Sequence, residues 1–405
     1  MGKSQPQNKS SHHPDLITTN EGLAALLSEF ETAPFLAIDT EFMREHTYYA
    51  QLCLVQISNG ERAAAIDPLA AGIDLQPLWD LLVRTDIVKV FHAAHQDLEI
   101  FLKEIGALPV PLFDSQIAAM VLGHGDQIGY DRLVRAVLNI DIDKTSRFTD
   151  WSRRPLSDRQ LSYALDDVIH LAAMYPMLSA DLENKGRLEW LADENAKLAD
   201  PATYQTDPDN AWKRIKVRSM RPAPLRRMIH LAAWRETEAK KRNLPRNRVM
   251  RDETILDLAG SNPGKADDFG KIRNFPGGGS GKLVAPVMQV LKAVENMPEN
   301  TLPEAKIESR TARPPVAVME LLRVLLKHIT DAEGIAPRLI ASADELEQLA
   351  LDDKAPVRAM SGWRYDVFGK AALRLKHGKT AMAVKGRHIR LIDIDEWRRS
   401  GPVRL

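Results

Sequence analysis

The run Phe35–Leu36–Ala37–Ile38–Asp39–Thr40–Glu41–Phe42–Met43 decides how this chain is read. Its first four residues are apolar and read as a short buried strand. Two acids follow, two positions apart. Side chains at i and i+2 of an extended chain point the same way, so Asp39 and Glu41 project together from the strand's end. Like charges held that close repel unless a cation sits between them. Hard oxygen ligands at that spacing suit Mg²⁺ or Mn²⁺. On its own the pair also reads as an ordinary surface D-x-E.

Outward from this strand, Leu52–Ser58 reads as a second strand, and Asn59–Gly60 as a tight turn into a third, Ala63–Ile66. Helices and strands then alternate: Leu75–Val83, strand Val88–Phe91, Gln96–Glu104, strand Leu112–Phe113, Ser115–Leu122, Tyr130–Leu138 and Ser157–Leu178. In the last helix Leu161, Ala164, Leu165, Val168, Ile169 and Ala172 recur at helical spacing. Hairpin strands followed by alternating elements predict a mixed sheet flanked by helices.

Two further acidic signals lie within this region. Asp97 opens a helix just after the strand Val88–Phe91 and the turn His92–Ala93–Ala94–His95. The helix dipole alone accounts for an acid there. His92 and His95 read as turn-lining or phosphate-contacting residues rather than zinc ligands, since neither a Cys partner nor an HExxH motif accompanies them. Tyr163 and Asp167 stand four residues apart on one helix, hence on one face, bordering its apolar side. Asp166 lies about 100° away. Four converging carboxylates can hold two divalent cations of the kind that stabilise both oxygens of an in-line phosphoryl displacement. A tyrosine hydroxyl beside them can orient the attacking water. Neither an activated Ser or Cys nucleophile nor a GxxxxGK[ST] loop competes with this reading.

The 405 residues, 44% hydrophobic and 27% charged, fit a globular protein of two or three domains. No apolar run approaches the roughly 18 residues of a membrane span. The polar first residues do not read as a secretory signal. The single cysteine, Cys53, excludes an intrachain disulfide and points to a reducing, cytoplasmic setting. The formal net charge of zero hides a dipole. Residues 1–200 hold 17 Lys+Arg against 30 Asp+Glu, a balance of −13, and residues 201–405 carry the opposite +13. Carboxylates gather cations, and Lys/Arg gather phosphates.

The predicted boundaries are a flexible tail (1–15), an α/β domain (16–197), a linker (198–210), a helical domain (211–297), a second linker (298–315) and a third unit (316–405). In the first helical domain Pro224–Lys241, Asp252–Ala259 and Leu283–Glu295 read as helices. In the third unit Val316–Thr330, Ser342–Leu351 and Trp363–Leu375 do so, before a hairpin Ala381–Val384 … His388–Ile394.

Three stretches resemble the exonuclease motifs of the DEDDy family of 3′-to-5′ exonucleases, specifically its ribonuclease D branch. They are Ile38–Asp39–Thr40–Glu41–Phe42–Met43–Arg44 with Tyr48–Tyr49, Phe91–His92–Ala93–Ala94–His95–Gln96–Asp97–Leu98–Glu99, and Asp150–Trp151 … Tyr163–Ala164 … Asp167. Asp114–Ser115–Gln116 is similar to the D-T-Q between the second and third, with Ser for Thr. Pro224–Leu225 … Trp234–Arg235 … Asn243–Pro245–Arg246–Arg248 resembles an HRDC domain, and Gly362–Trp363–Arg364 … Phe368–Gly369 a more diverged second one.

The resemblance implies a ribonuclease H-like exonuclease domain followed by two HRDC-type helical domains. It implies Asp39, Glu41, Asp97 and Asp167 as ligands of two Mg²⁺ or Mn²⁺ ions, and Tyr163 beside the nucleophilic water. The implied activity is 3′-5′ hydrolysis of RNA to nucleoside 5′-monophosphates, with tRNA precursors as the substrate class, by a monomer without a protein partner or a membrane. Phe42 and Met43, past the metal strand, are candidates to stack on terminal bases. His92 and the arginines Arg226, Arg227, Arg246 and Arg248 are further candidates for substrate contact, within a basic run that includes Arg218. Two other readings stand beside this one: an exonuclease acting on DNA, and a catalytically silent nucleic-acid adaptor.

Overall fold

The structure, a computed structural model, describes residues 15–142, 149–217, 220–298 and 314–400. Residues 1–14 of the predicted N-terminal tail, most of the second linker and Arg218 lie outside them.

The first domain is a six-stranded mixed sheet of order β1-β4-β3-β2-β5-β6. Its strands are β1 (Leu16–Ile17), β2 (Phe35–Met43), β3 (Gln51–Ser58), β4 (Ala63–Ile66), β5 (Val88–Phe91) and β6 (Leu112–Asp114). β2, β3 and β4 form an antiparallel meander, while β5 and β6 run parallel beside β2. On one face lie α1 (Asn20–Phe30), α2 (Gln76–Leu82) and α3 (His95–Ile105), sharing a core with Ile38, Leu52 and Phe91. The other face carries α4 (Ser115–Leu122), α5 (Tyr130–Leu138), α6 (Asp158–Asn184) and α7 (Leu188–Leu198). The mixed α/β architecture expected from the hairpin-then-alternation pattern is therefore present.

α6 is the longest helix and begins at a capping box. The Ser157 side chain takes the Gln160 amide N–H, and the Gln160 side chain returns to the Ser157 N–H. Its buried stripe is Leu161, Ala164, Leu165, Val168, Leu171 and Ala172. Ile169, assigned to that stripe from spacing, is 46% exposed, because it sits one residue past Val168 and so about 100° round the helix.

Two helical units follow. The first contains α8 (Pro222–Arg242), α9 (Arg246–Val249), α10 (Asp252–Ser261), α11 (Ala266–Phe269) and α12 (Val284–Glu295) around Met228, Leu231, Ile255 and Val287. The second contains α13 (Val316–Glu333), α14 (Pro337–Ile340), α15 (Ala343–Leu351), α16 (Gly362–Arg364), a π-turn at Tyr365–Gly369 and α17 (Lys370–Lys376). A ribbon of β7 (Thr380–Lys385) and β8 (His388–Asp393) follows, then α18 (Ile394–Ser400). The predicted helix Trp363–Leu375 is thus one continuous helical run with a π-helical stretch inside it. The two units repeat one local sequence of shapes. A long helix ends at a left-handed cap (Asn243, Gly334), a four-residue helix follows, and two extended residues (Met250–Arg251, Ala341–Ser342) lead into the next helix.

Both units dock on the sheet domain. Tyr48, in the hairpin between β2 and β3, donates to the Glu236 carboxylate of α8. Arg246 clamps the same carboxylate through Nε at 2.5 Å and Nη2 at 2.6 Å, and its guanidinium lies 4.7 Å from the Tyr48 ring centre. The last unit docks on the opposite side through a four-layer stack. Trp190 and Trp363 lie face to face at 4.2 Å, with Arg187 over the outer face of one and Arg364 over the other. Arg364 also pairs with Glu194. Gly123 meets Gly334 so closely that a Cβ would stand 2.4 Å from the Gly334 carbonyl oxygen.

The predicted linker after α7 contains a 3₁₀ turn at Pro201–Thr203 and runs into another at Pro208–Arg214. Tyr204 within it packs against His95, ring centres 5.1 Å apart, and donates to the Leu198 carbonyl at 2.7 Å.

Candidate active site

The C-terminal half of β2 carries the first two acids. Asp39 pairs in register with Gln56 of β3 and Glu41 with Leu54, so both point to the α6 side. A bulge between Glu41 and Phe42 then shifts the register before pairing resumes at Phe42↔Leu52 and Met43↔Gln51. α6 crosses this face and supplies Asp167. Single carboxylate oxygens of Asp39, Glu41 and Asp167 all lie within 4.8 Å of one another. Asp39 and Asp167 open onto a cleft of about 330 Å³ that is also lined by Tyr163, Tyr130, His92 and Gln116.

Asp97 stands beside this trio in the first turn of α3, 7% exposed. Its Oδ1 accepts the Thr40 hydroxyl at 2.5 Å. The turn that aims it is itself fixed by Asp114, whose carboxylate accepts the amides of Ala93 (3.2 Å) and Ala94 (2.8 Å) while capping α4. This gives the D-S-Q stretch a physical role. Its aspartate shapes the turn before Asp97, including the left-handed Ala93 at φ 57°.

Burial and mutual repulsion act together on these acids. Burial, then the charge of Asp167, pushes Asp39 up to about 8 from an ordinary 3.8. Glu41 rises to about 9, through burial and then the charges of Asp39, Asp167 and Asp97. Asp167 rises to about 7, through burial and then Asp166. Asp97 is held well above its ordinary range, by burial first and Asp39 second. Such a cluster favours protons or cations over bare charge. An all-oxygen donor set of this kind fits a hard divalent ion.

Tyr163 lines the cleft one helical turn before Asp167, its ring 6.3 Å from that of Trp151. Met43 packs toward Tyr163 and Trp151, whereas Phe42 turns to the opposite core with Ile38. The His92 ring lies in the cleft, its Nδ1 2.9 Å from Ser115 Oγ and its Nε2 buried without a hydrogen-bond partner. Burial holds its pKa below the usual value, which keeps the ring neutral.

The candidate arginines do not form one free basic surface. Arg246 is spent on Glu236 and Tyr48. Arg227 donates to the Ala259 carbonyl at 2.7 Å, and Arg226 to that of Met297 at 3.4 Å. Arg248 is exposed. Residues of one sign close in sequence looked like a phosphate track because their partners lie far along the chain.

Sequence reading also passed over Tyr130. Its hydroxyl donates to the Asp167 carbonyl, with the Asp166 carbonyl at 3.3 Å, and its ring meets His92 edge-on at 5.3 Å. It therefore braces the helix that carries Asp167. Gln56, fully buried beside Asp39 with both amide atoms unpartnered, was likewise read only as a strand residue. A polar residue inside the run Leu54–Ile57 is the one signal that marked it.

The family comparisons agree with this geometry. Residues 14–183 match the model of a 3′-5′ exonuclease, and residues 225–294 match that of an HRDC domain. Ribonuclease D of Acidiphilium cryptum is 46% identical over 94% of this chain and 97% of its own. That of Zymomonas mobilis is 47% identical over 92% and 96%. The crystal structure of Escherichia coli RNase D, described as an exoribonuclease involved in structured RNA processing, superposes with a TM-score of 0.80. It is 30% identical and covers 91% of this chain and 99% of its own. Likeness of this depth, running from the sheet that gathers the acids through the helical units docked on it, means that the chain belongs to the ribonuclease D family of 3′-5′ exoribonucleases.

Proposed function

We propose that Asp39, Glu41, Asp97 and Asp167 hold two divalent cations, Mg²⁺ or Mn²⁺, and that Tyr163 orients the water that attacks the last phosphodiester of an RNA. The observation that carries this reading is the approach of three half-buried carboxylates to within 4.8 Å at the end of a cleft that Tyr163 also lines. When bound, the cations supply charge neutralisation and stabilise the oxygens of the displaced phosphate.

The chain's own groups do the rest. Thr40 fixes the rotamer of Asp97, and Tyr130 braces the turn of α6 that carries Asp167. The Tyr163 hydroxyl, sharing that helix face, holds a water by hydrogen bond in line with the scissile bond. Met43 lies against the terminal base, with Phe42 supporting the bulge behind it. Neutral His92, with Nε2 unpaired, donates to or accepts from the sugar or phosphate of the nucleotide next to the scissile one. Exposed Arg248 adds a phosphate contact. Releasing one nucleoside 5′-monophosphate per turnover, the enzyme trims 3′ ends of structured RNA, with tRNA precursors as the substrate class. It does so as a cytoplasmic monomer.

The last helical unit is a second, diverged HRDC-type domain. The support is its repetition of the long helix, left-handed cap, short helix and two extended residues of the first.

A nuclease assay on 3′-extended tRNA with Mg²⁺, Mn²⁺ or EDTA tests the proposal, with single-stranded DNA as competitor. Mononucleotides should leave from the 3′ end only, chelation should stop release, and Asp167→Asn should abolish it while RNA binding survives. Turnover in that purified variant overturns the two-cation assignment.

A further inference from the structure

The β7–β8 ribbon belongs to neither the site nor the core it follows. Between Asp366 and Asp393 the chain carries Lys370, Arg374, Lys376, Lys379, Lys385, Arg387 and Arg390 without one intervening carboxylate. The structure sorts them. Arg374 pairs with Asp393, and Lys376 with Asp353. Lys385, Arg387 and Arg390 are exposed at the far end of the ribbon and make no ion pair among the described residues.

Register divides the ribbon into two faces. The pairs Lys385↔His388, Ala383↔Arg390 and Ala381↔Ile392 share one face. Met382, Val384, Ile389 and Leu391 share the other, whose Met382 packs on the helical core. Of that face only Met382 packs on the core, Val384 and Leu391 being exposed, and on the other face Lys385, His388 and Arg390 are all exposed. Beside the cations this face carries Ala381, Ala383 and the half-buried Ile392, so a flat backbone can approach closely around the alanines. His388 and Arg390, two positions apart on one strand, are spaced by about 7 Å. This face carries no Phe, Tyr or Trp and only one ring, His388, so it offers no extended platform for stacking the splayed bases of a single strand. Charge at close range with no base readout is what the backbone of paired RNA requires.

We propose that the β7–β8 ribbon is an RNA-docking arm, whose basic face grips the phosphate backbone of the base-paired body of the substrate. The identity of the nucleic acid rests on the exoribonuclease reading above; the arm itself rests on register and charge.

The test uses the full chain with Lys385→Gln, Arg387→Gln and Arg390→Gln combined. Binding is followed by fluorescence anisotropy in EDTA, on an RNA hairpin with a 3′ overhang and on a single-stranded pentanucleotide. The variant should bind the hairpin about tenfold or more weakly. Its slope of log affinity against log salt should fall by about 2–3, matching three lost phosphate contacts. Pentanucleotide binding and hydrolysis should stay at the wild-type level. A second variant, Ala383→Trp, keeps every charge and obstructs the flat face, and should weaken only hairpin binding.

Unchanged hairpin affinity and slope overturn the arm, as does equal loss on both RNAs. A dimer in sedimentation that the triple variant dissociates, with the salt slope unmoved, overturns it in favour of pairing between copies. A wild-type chain that binds the hairpin through this face yet never cleaves RNA would sink the exoribonuclease reading and leave the arm standing.

Discussion

Replacing Asp39 by Asn should make the cation-free protein more stable while abolishing hydrolysis. The three clustered oxygens lie within 4.8 Å of one another. Two unit charges that far apart repel by about 3.5 kcal/mol at an effective dielectric constant of about 20. In the folded chain burial and this repulsion raise Asp39 to about 8 and Asp167 to about 7. In the unfolded chain both return to about 4. Between those values the folded state binds more protons than the unfolded one, so stability falls as pH rises. The loss begins near pH 4 and is complete only above the folded values.

An amide at position 39 carries no charge and removes one full share of that loss. The expected gain is nil near pH 4, grows through neutrality and levels off near pH 9 at about 2–4 kcal/mol. For a domain of this size that is about 5–15 °C in Tm. Scanning calorimetry in EDTA from about pH 4.5 to 9 measures it. Saturating Mg²⁺ should then reverse the order, since cation binding stabilises only the intact cluster. A variant that melts at or below wild type at pH 8 without cations, or a gain that does not change with pH, refutes the picture of carboxylates forced together.

Four further outcomes follow from the same geometry. Tyr163→Phe should lower kcat about 10²–10⁴-fold with Mg²⁺ affinity unchanged, read by steady-state kinetics and calorimetric titration. Tyr130→Phe should instead raise the Mg²⁺ concentration for half-maximal activity severalfold, since it loosens the turn that bears Asp167, with Tm nearly unchanged. Arg246→Ala leaves Glu236 buried at 1% exposure without its cation and should cost about 3–5 kcal/mol, seen as early urea unfolding of the first helical unit. Gly123→Ala combines a left-handed φ of 89° with a 2.4 Å clash and should free the last unit, read as faster limited proteolysis after α12.

The sheet was legible because its central strand is buried at Leu36, Ala37 and Ile38 and flanked by turn signals. α6 announced itself through its apolar stripe, while its Ser157–Gln160 capping box went unread. α1 was passed over although Leu23, Leu26, Leu27 and Phe30 follow helical spacing behind the Thr19 cap. α7 offered little, since only Leu191 and Asn195 are buried on it. Asp39, Glu41 and Asp167 stand out as acids at strand ends or helix edges. Their closeness is a tertiary fact that only the family motifs foreshadowed. The roles of Tyr130 and Arg246 could not be read at all. Tyr130 reaches Asp167 across 37 residues and Arg246 reaches Tyr48 across 198, and no local pattern encodes either meeting.

The hairpin joining β2 to β3 is one short piece of backbone with two loads. It holds Asp39 and Glu41 at its root and is bolted to α8 through Tyr48 at its tip. A displacement of the first helical unit therefore reaches the acids through a handful of peptide bonds. The seating of that unit and the placement of Asp39 and Glu41 are thus mechanically one variable in this molecule, and lengthening that hairpin by even a few residues would uncouple them.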